Sequence, residues 1–258
     1  MGRWSRLLAP QFVDWLQCPA GLDWLELGCG TGALTDSICK RADPRSVIAC
    51  DPAKPFVTFA TNEVRDPRVT FVHAGADDFP FAASGGYMSA TSLLALNFFP
   101  SPTSALTRMC LASAPGASVS ACVWDYSEGM QFLRLFWDAA ADVSPTAAGM
   151  DEGSRFPICT RGNLLDLFVS VGLQDVTCDA LVIATVFRDF DDYWQPLTAG
   201  VGPAPAFVES LGSEQQDRLR SSLRDRLPFA SDGSLLLNAR AWAVRGSTGV
   251  PGRVVGGT

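Results

Sequence analysis

Three glycines at alternate positions, Gly28, Gly30 and Gly32, constrain this chain more than any other feature, because they directly follow an apolar run at residues 22–27. Glycine has no Cβ, so a loop of this kind turns tightly and lets a ligand approach the backbone. Residues 33–41 then have the pattern of a helix. A strand that leads through such a loop into a helix N-terminus is typical of sites for nucleotide-like ligands. The sequence therefore predicts an adenosine-containing ligand at this loop.

Two kinds of ligand compete for the loop. Gly28, Gly30 and Ala33 also satisfy the dinucleotide pattern G-x-G-x-x-G/A, and Asp51 lies at a suitable distance for a ribose-binding acid. Glu26 argues against a dinucleotide, because its carboxylate would repel a pyrophosphate placed over the turn. A ligand that carries a positive charge there would be attracted instead, and the third glycine is expected to open the loop further to an uncharged or cationic ligand.

This combination resembles motif I of the class I S-adenosylmethionine-dependent methyltransferases, and the resemblance extends over most of the chain. The other segments that are similar to the family are residues 47–52 (VIACDP, second strand), 71–81 (FVHAGADDFPF, third strand and adenine-binding turn), 108–117 (RMCLASAPGA, before the fifth strand), 121–126 (ACVWDY) and 241–244 (AWAV). The last two are similar to a bacterial branch that acts on small molecules. The chain departs from the family in having Gly75-Ala76 where Asp-Ala is usual and Tyr87-Met88 where Phe-Asp is common.

The resemblance implies S-adenosylmethionine as the cofactor. It implies that Glu26 holds the methionine amino group and that Asp51 accepts both ribose hydroxyls, although Asp51 could instead cap the following helix. The adenine amine would be held by Asp77, by a backbone carbonyl or by water. Arg6 could meet the cofactor carboxylate or lie exposed. The full set of expected cofactor-binding residues is Trp4, Arg6, Glu26, Gly28, Cys29, Gly30, Gly32, Asp51, Pro52, Ala76, Asp77, Ser92 and Leu93.

Catalytic residues are harder to predict, because an in-line methyl transfer mainly requires a well-oriented nucleophile. Asp125 and Tyr126 follow the fifth strand, where the sheet is expected to open onto substrate, and either could accept a proton. Asn97 could line the same pocket or form a turn before Pro100.

The order of elements predicts an α/β fold with one doubly wound, mostly parallel, seven-stranded Rossmann-like sheet whose last strand is antiparallel. We expect a single domain over residues 1–246. Two insertions, at about 126–160 and 188–229, interrupt it and are expected to act as lids. Residues 247–258 are rich in Gly and Val without periodicity and are expected to be a disordered tail.

Composition limits the partners. Twenty Lys and Arg against 27 Asp and Glu give a net charge of −7, which argues against a nucleic-acid substrate and favours a small molecule. Eight scattered cysteines without a C-x-x-C pair and one histidine predict free thiols in the cytoplasm and no metal site. No apolar run is long enough to span a membrane, and a homodimer is left open.

Two alternatives to a small-molecule methyltransferase remain: an NAD-type oxidoreductase and a protein that binds the cofactor without turnover.

Overall fold

The structure is a computed structural model, and it describes residues 2–80, 85–199 and 202–249. Within those ranges the seven strands are β1 (Asp23–Leu27), β2 (Ser46–Asp51), β3 (Val69–His73), β4 (Tyr87–Leu93), β5 (Ser113–Trp124), β6 (Gln174–Phe187) and β7 (Leu235–Ser247). The helices are α1 (Gly2–Leu16), α2 (Ala33–Arg41), α3 (Lys54–Glu63), α4 (Pro102–Ala112), α5 (Gln131–Val143), α6 (Ala147–Met150), α7 (Glu152–Arg155), α8 (Arg161–Ser170), α9 (Phe190–Trp194), α10 (Pro203–Ser210) and α11 (Ser213–Arg226).

The strands form one sheet in the order β3-β2-β1-β4-β5-β7-β6. Strands β1 to β5 pair in parallel, with Leu27 opposite Cys50 and Glu26 opposite Thr91. The β5-β7-β6 segment is antiparallel. The predicted Rossmann-like sheet, with its antiparallel last strand, is therefore confirmed.

Burial explains why β1 takes the central position. Its residues from Trp24 to Leu27 are all buried, as expected for a parallel strand that is covered on both faces. Helix α1 packs against α2, and its residues Leu8, Phe12 and Leu16 are buried at helical spacing. The buried strand and its pairing with β2 and β4 hold the loop that follows it at a defined position.

The chain divides into two compact units. The sheet unit contains Gly2–Val123, Arg161–Leu181 and the chain from Trp242 onward. It carries β1 to β4, most of β5 and the adjoining parts of β6 and β7. The insertion unit contains Trp124–Thr160 and Val182–Ala241. The two predicted insertions thus fold together with the neighbouring ends of β6 and β7.

Aromatic side chains form the core of the insertion unit. The ring of Phe132 lies against Phe187 and Tyr193, with centroids 5.9 and 6.2 Å apart, and the Tyr193 hydroxyl donates to the Phe132 carbonyl oxygen at 2.7 Å. Phe136 and Phe207 meet edge to face. An ion pair joins α11 to α5 in the same unit. This amount of buried aromatic surface gives the unit a core of its own.

The end of the chain differs from the prediction. Strand β7 continues to Ser247, and Thr248 exchanges hydrogen bonds with Ala117: its backbone N–H donates to the Ala117 carbonyl and its Oγ1 accepts from the Ala117 N–H, both at 2.9 Å. Residues 247 and 248 are therefore part of the fold and not of a disordered tail. The rest of the predicted tail, residues 250–258, lies outside the described residues.

Candidate functional site

The glycine loop directly continues β1 and is tied to the end of β2. The N–H groups of Gly28 and Cys29 both donate to the carbonyl oxygen of Cys50, at 2.8 and 3.0 Å. Gly28 has a φ of +76°, and a Cβ at this position would lie 2.3 Å from the Cβ of Ala95. Only glycine allows the chain beyond β4 to pack this closely on the first turn of the loop.

The other two glycines serve different purposes. Gly30 has a φ of +51°, and a Cβ there would meet no atom of the described residues within 4 Å, so open space lies beside this part of the backbone. A Cβ on Gly32 would meet Val64 Cγ2 at 3.0 Å and Ala60 Cβ at 3.3 Å. The small size of Gly32 is therefore required by its packing beside α3, and its expected contact with a ligand stays a prediction. At Gly30 no such neighbour limits the space for a ligand.

Glu26 lies at the base of this loop and is almost completely buried, with 1% of its surface exposed. The hydroxyl of Thr35, from the first turn of α2, donates to its Oε2 at 2.6 Å. The pKa of Glu26 is raised from 4.5 to about 7, chiefly by burial and to a smaller extent by the charge of Asp51, while the Thr35 hydrogen bond opposes the rise. A buried carboxyl with this pKa is suited to accept a positively charged group, because a cation would stabilise its ionised form.

Asp51, the last residue of β2, joins the two loops at the carboxyl edge of the sheet. Its Oδ2 accepts from the Gly30 N–H at 2.9 Å, and its Oδ1 accepts from the Ala53 N–H at 2.8 Å. The side chain is 7% exposed. Each carboxylate oxygen keeps a lone pair for a further donor, so the residue can both shape the loop and bind hydroxyl groups. The Pro52 carbonyl accepts from His73 Nε2 at 2.9 Å, which gives His73 a structural role.

The turn after β3 contains the predicted adenine contacts. Asp78, and not Asp77, caps this turn, since its Oδ1 accepts from the Gly75 N–H at 2.6 Å. Asp77 is exposed. Arg108 from α4 donates through Nε to the Ala76 carbonyl at 2.8 Å and lies over the Phe79 ring at 5.2 Å. Sequence reasoning gave Arg108 no role at the site, because α4 is remote from this turn along the chain.

Strand β4 ends beside the glycine loop. Ser92 and Leu93, both predicted to contact the cofactor, are buried there. The chain then turns sharply, with Leu94 at a φ of +58°. Both Ser92 and Asn97 carry buried polar atoms that have no hydrogen-bond partner among the described residues. Unpaired buried polar atoms are costly in a folded protein, so this turn is a candidate for contact with a ligand.

Arg6, on α1, lines a cavity of about 410 Å³ together with Thr31 and Gly32 of the glycine loop and Ala33 at the start of α2. Lys40 and Arg41 also line this cavity, but each pairs with an aspartate, Lys40 with Asp36 and Arg41 with Asp14. Trp4 is buried beneath the guanidinium of Arg3, which lies 4.1 Å from its ring centroid. Of the two predicted N-terminal residues, Arg6 is therefore the one that lines a cavity with the loop.

Asp125 and Tyr126, the predicted catalytic residues, lie in the insertion unit. The carboxylate of Asp125 is 2% exposed and accepts from Arg240 Nε at 2.7 Å, from Ser127 Oγ at 2.9 Å and from the Glu128 N–H at 3.2 Å. Tyr126 is buried against the ring of Phe156. These contacts favour a structural role for Asp125, as the residue that organises the turn after β5.

The described part of the chain contains neither a candidate metal site nor a candidate membrane-spanning helix. No group of three or more His, Cys, Asp or Glu side chains there could hold a metal ion, and no helix is long and apolar enough to cross a membrane. The eight cysteines are free thiols. A second groove, of about 630 Å³, is lined only by residues of α11 and has none of the features of the loop site.

The fold is Rossmann-like, and its glycine loop lies at the edge of the sheet where such folds bind their ligands. Residues 25–116 match the family model described as a methyltransferase domain, and this match covers the glycine loop, Asp51 and the end of β4. This match supports the expected resemblance to the S-adenosylmethionine-dependent methyltransferases, and with it S-adenosylmethionine as the cofactor. It gives no support to the NAD-type oxidoreductase.

Solved structures with the same fold are distant in sequence. The YcgJ protein from Bacillus subtilis has 13% identity and a TM-score of 0.59, with 96% of this chain and 99% of that chain covered. Phosphoethanolamine N-methyltransferase 2 of Haemonchus contortus, in complex with S-adenosyl-L-methionine, has 13% identity and a TM-score of 0.57, with 93% and 52% covered. The [4+2]-cyclase SpnF has 15% identity and a TM-score of 0.55, with 95% and 82% covered. No curated protein sequence matches the chain.

Proposed function

We propose that this enzyme transfers the methyl group of S-adenosylmethionine to a small-molecule acceptor, by in-line displacement at the carboxyl edge of the sheet. The observation that carries this proposal is the joined arrangement of Glu26, Gly30 and Asp51. Within the sheet unit, a buried carboxyl, open space beside a glycine and a second carboxylate meet at one loop. The Glu26 carboxyl suits the amino group of the cofactor, the open space beside Gly30 leaves room for the body of the molecule, and Asp51 suits the ribose hydroxyls.

The roles of the cofactor-binding residues follow from their chemistry. The carboxyl of Glu26 would hold the methionine amino group, and the free lone pairs of Asp51 would accept the ribose hydroxyls. The backbone of Cys29 and Gly30 would lie against the ligand, and the turn at Pro52, Ala76 and Asp77 would surround the adenine. The remaining assignments are Gly28, Gly32, Ser92, Leu93, Trp4 and Arg6, among which Arg6 would meet the cofactor carboxylate.

The chemistry that S-adenosylmethionine supplies when bound is a methyl group activated by its sulfonium leaving group. The residues of the chain then have to fix the cofactor, orient an acceptor and exclude water. A nucleophile that is already reactive can attack the methyl group without a general base, so the sheet unit does not have to supply one. Asp125 and Tyr126 remain predicted proton acceptors, although the Arg240 ion pair of Asp125 supports a structural role for that residue.

The proposal of a small acceptor rests on charge and on the insertions. The excess of acidic residues gives no basis for holding a phosphate backbone. The first insertion follows the carboxyl end of β5 and the second follows the carboxyl end of β6, and ligands of such sheets bind beyond these ends. We propose that the insertion unit, which has its own aromatic core, acts as the lid. The free thiols support a cytoplasmic location.

The cofactor assignment is tested by calorimetric titration with S-adenosylhomocysteine, with NAD as the comparison ligand. We expect micromolar binding of S-adenosylhomocysteine alone, weakened at least tenfold in Glu26→Gln and in Asp51→Asn. Binding of NAD alone, or equal affinity in wild type and variants, would contradict the assignment.

The acceptor and the lid need separate experiments. S-adenosylmethionine with a labelled methyl group is incubated with a low-molecular-mass cell extract, total RNA and a protein fraction, and label is expected only in the first. Hydrogen exchange then reports on the lid: amides of α5 and α11 should exchange more slowly when S-adenosylhomocysteine is bound. Label in RNA would refute the small acceptor, and unchanged exchange would refute the lid.

A further inference from the structure

The side chain of Asn97 is nearly completely buried and makes no hydrogen bond to the part of the chain that the structure describes. The residue is 7% exposed, and neither its Nδ2 nor its Oδ1 has a partner among the described residues. A buried amide that makes no hydrogen bond destabilises a folded protein. The fold therefore maintains Asn97 at a cost that its own contacts do not offset.

The position of Asn97 relates this cost to the cofactor site. Its neighbours on both sides pack on the glycine loop, because a Cβ on Gly28 would lie 2.3 Å from Ala95 Cβ and 3.8 Å from Phe99 Cζ. Asn97 lies between these two residues, in a short turn of 3-10 helix at Leu96–Phe98. The segment that carries the amide thus covers the first turn of the cofactor loop, within the sheet unit.

Three of the six buried polar atoms without a partner in the described residues belong to Ser92 and Asn97. Ser92 lies at the carboxyl end of β4 and Asn97 in the turn that follows it, at the edge of the sheet where ligands of such folds bind. The proposed function assigns the amino group of the cofactor to Glu26, its ribose hydroxyls to Asp51, its carboxylate to Arg6 and its adenine to the turn after β3. The amide of Asn97 is left over, and the residues around it in sequence are apolar, from Leu94 to Phe99.

We infer that Asn97 binds the methyl acceptor and selects a hydroxyl group on an otherwise apolar molecule, an inference that rests on the proposed function. A hydroxyl has one proton and two lone pairs. Its proton donates to Oδ1, one lone pair accepts from Nδ2, and the second lone pair stays free to face the methyl carbon. A neutral primary amine has a single lone pair, which Nδ2 would occupy. The geometry of an amide therefore fits an alcohol or a phenol.

The transfer step balances without a further reactant. The acceptor oxygen forms a bond to the methyl carbon as the bond between that carbon and sulfur breaks. The electron pair of the broken bond leaves with sulfur, which becomes the neutral thioether of S-adenosylhomocysteine. The hydroxyl proton is released to water. Asn97 neither gains nor loses a proton, because its part is to orient the oxygen.

A stability measurement separates this role from a structural one. In Asn97→Leu an apolar side chain of similar size replaces the unpaired amide, so we expect the melting temperature to rise by about 2–6 °C and the affinity for S-adenosylhomocysteine to stay within about twofold. The matched control is Ser120→Ala, since Ser120 is equally buried but donates to Thr91 at 3.0 Å, and this variant should melt lower. A lower melting temperature for Asn97→Leu would show a structural role, and a loss of S-adenosylhomocysteine affinity would show a cofactor contact. Either result overturns the inference.

Phenol and toluene then test the hydroxyl directly. The side-chain NH₂ resonances of Asn97 are identified by their absence from the spectrum of Asn97→Leu, and the protein is saturated with S-adenosylhomocysteine before either compound is added. We expect phenol, but not toluene, to shift these resonances. Equal shifts, or no shift with phenol, would overturn the inference. A wild-type protein that fails to bind S-adenosylhomocysteine would instead refute the proposed function, so the two failures are distinguishable.

Discussion

The buried carboxyl of Glu26 makes the stability of the ligand-free enzyme depend on pH. Its pKa in the folded protein is about 7, against 4.5 for an ordinary glutamate. Because the folded state holds the proton more tightly, the stabilising effect of this proton is fully present below pH 4.5 and is lost as the pH rises through 7. At 1.36 kcal/mol per pKa unit, the free energy of unfolding should fall by about 2–3 kcal/mol between pH 5 and pH 8 from this group alone.

Glu26→Gln removes the charge and keeps an oxygen that can accept from Thr35. We expect the variant to be more stable than wild type at pH 8, and to lose this advantage at pH 5. The difference between the two pH values should be about 2–3 kcal/mol, while any cost of burying the new amide is the same at both and cancels. Urea denaturation at pH 5, 6, 7 and 8 gives the free energies of unfolding. Glu209→Gln, at an exposed position of α10, is the matched control and should show no such difference.

The same carboxyl should link cofactor binding to pH. If Glu26 must be ionised to hold the methionine amino group, the affinity for S-adenosylhomocysteine falls as the pH drops below 7, by up to tenfold per pH unit. The dependence should vanish in Glu26→Gln, which binds weakly at every pH. A stability advantage of equal size at pH 5 and pH 8, or a wild-type affinity that does not change from pH 5.5 to 8, would refute the reasoning about this residue.

Three further substitutions test other contacts. Asp51→Asn places an NH₂ group against one of two backbone N–H donors, so urea denaturation should show a loss of about 1–3 kcal/mol, and a neutral result would contradict the hydrogen bonds described. Gly28→Ala puts a Cβ into Ala95 at a left-handed φ, and should lower the free energy of unfolding by about 2 kcal/mol or more; an unchanged melting curve would contradict the close packing. Arg240→Ala leaves the Asp125 carboxylate buried without its cation and should cost about 2–4 kcal/mol at pH 8, where Arg240→Lys should restore part of the loss. If Asp125 were the catalytic base instead, Arg240→Ala would change the pH profile of methyl transfer more than it changes stability.

The arrangement of strands and helices could be predicted well, because it depends on local pattern. The predicted helix at residues 33–41 has the same bounds in the structure, and the sheet has the expected antiparallel last strand. The positions of Glu26 and Asp51 also follow from local sequence, because each ends or nearly ends a strand that leads into a loop.

Contacts between residues that are distant in sequence could not be predicted. Asp125 looks like a free carboxylate after a strand, and only the fold brings Arg240 to it across 115 positions. In the sequence, Gly32 looks like a third glycine that faces the ligand. The structure shows that a side chain at this position would press against Ala60 and Val64. The unpaired state of Asn97 is likewise a property of its surroundings and not of its neighbours in sequence. The domain boundaries and the roles of the individual site residues stay predictions.

The strand order has a consequence for synthesis of the protein. Strand β7 follows β5 and β6 in the sequence but lies between them in the sheet, so both of its partners are synthesised before it. More than a hundred residues separate Trp124, the end of β5, from Leu235, the start of β7. At about 5–20 residues per second, the nascent chain holds a completed β5 with an unpaired edge for about 5–20 s. Exposed edges of this kind pair readily with other chains. Expression conditions that slow translation should therefore increase aggregation of this protein, and chaperones that shield a growing chain should reduce it.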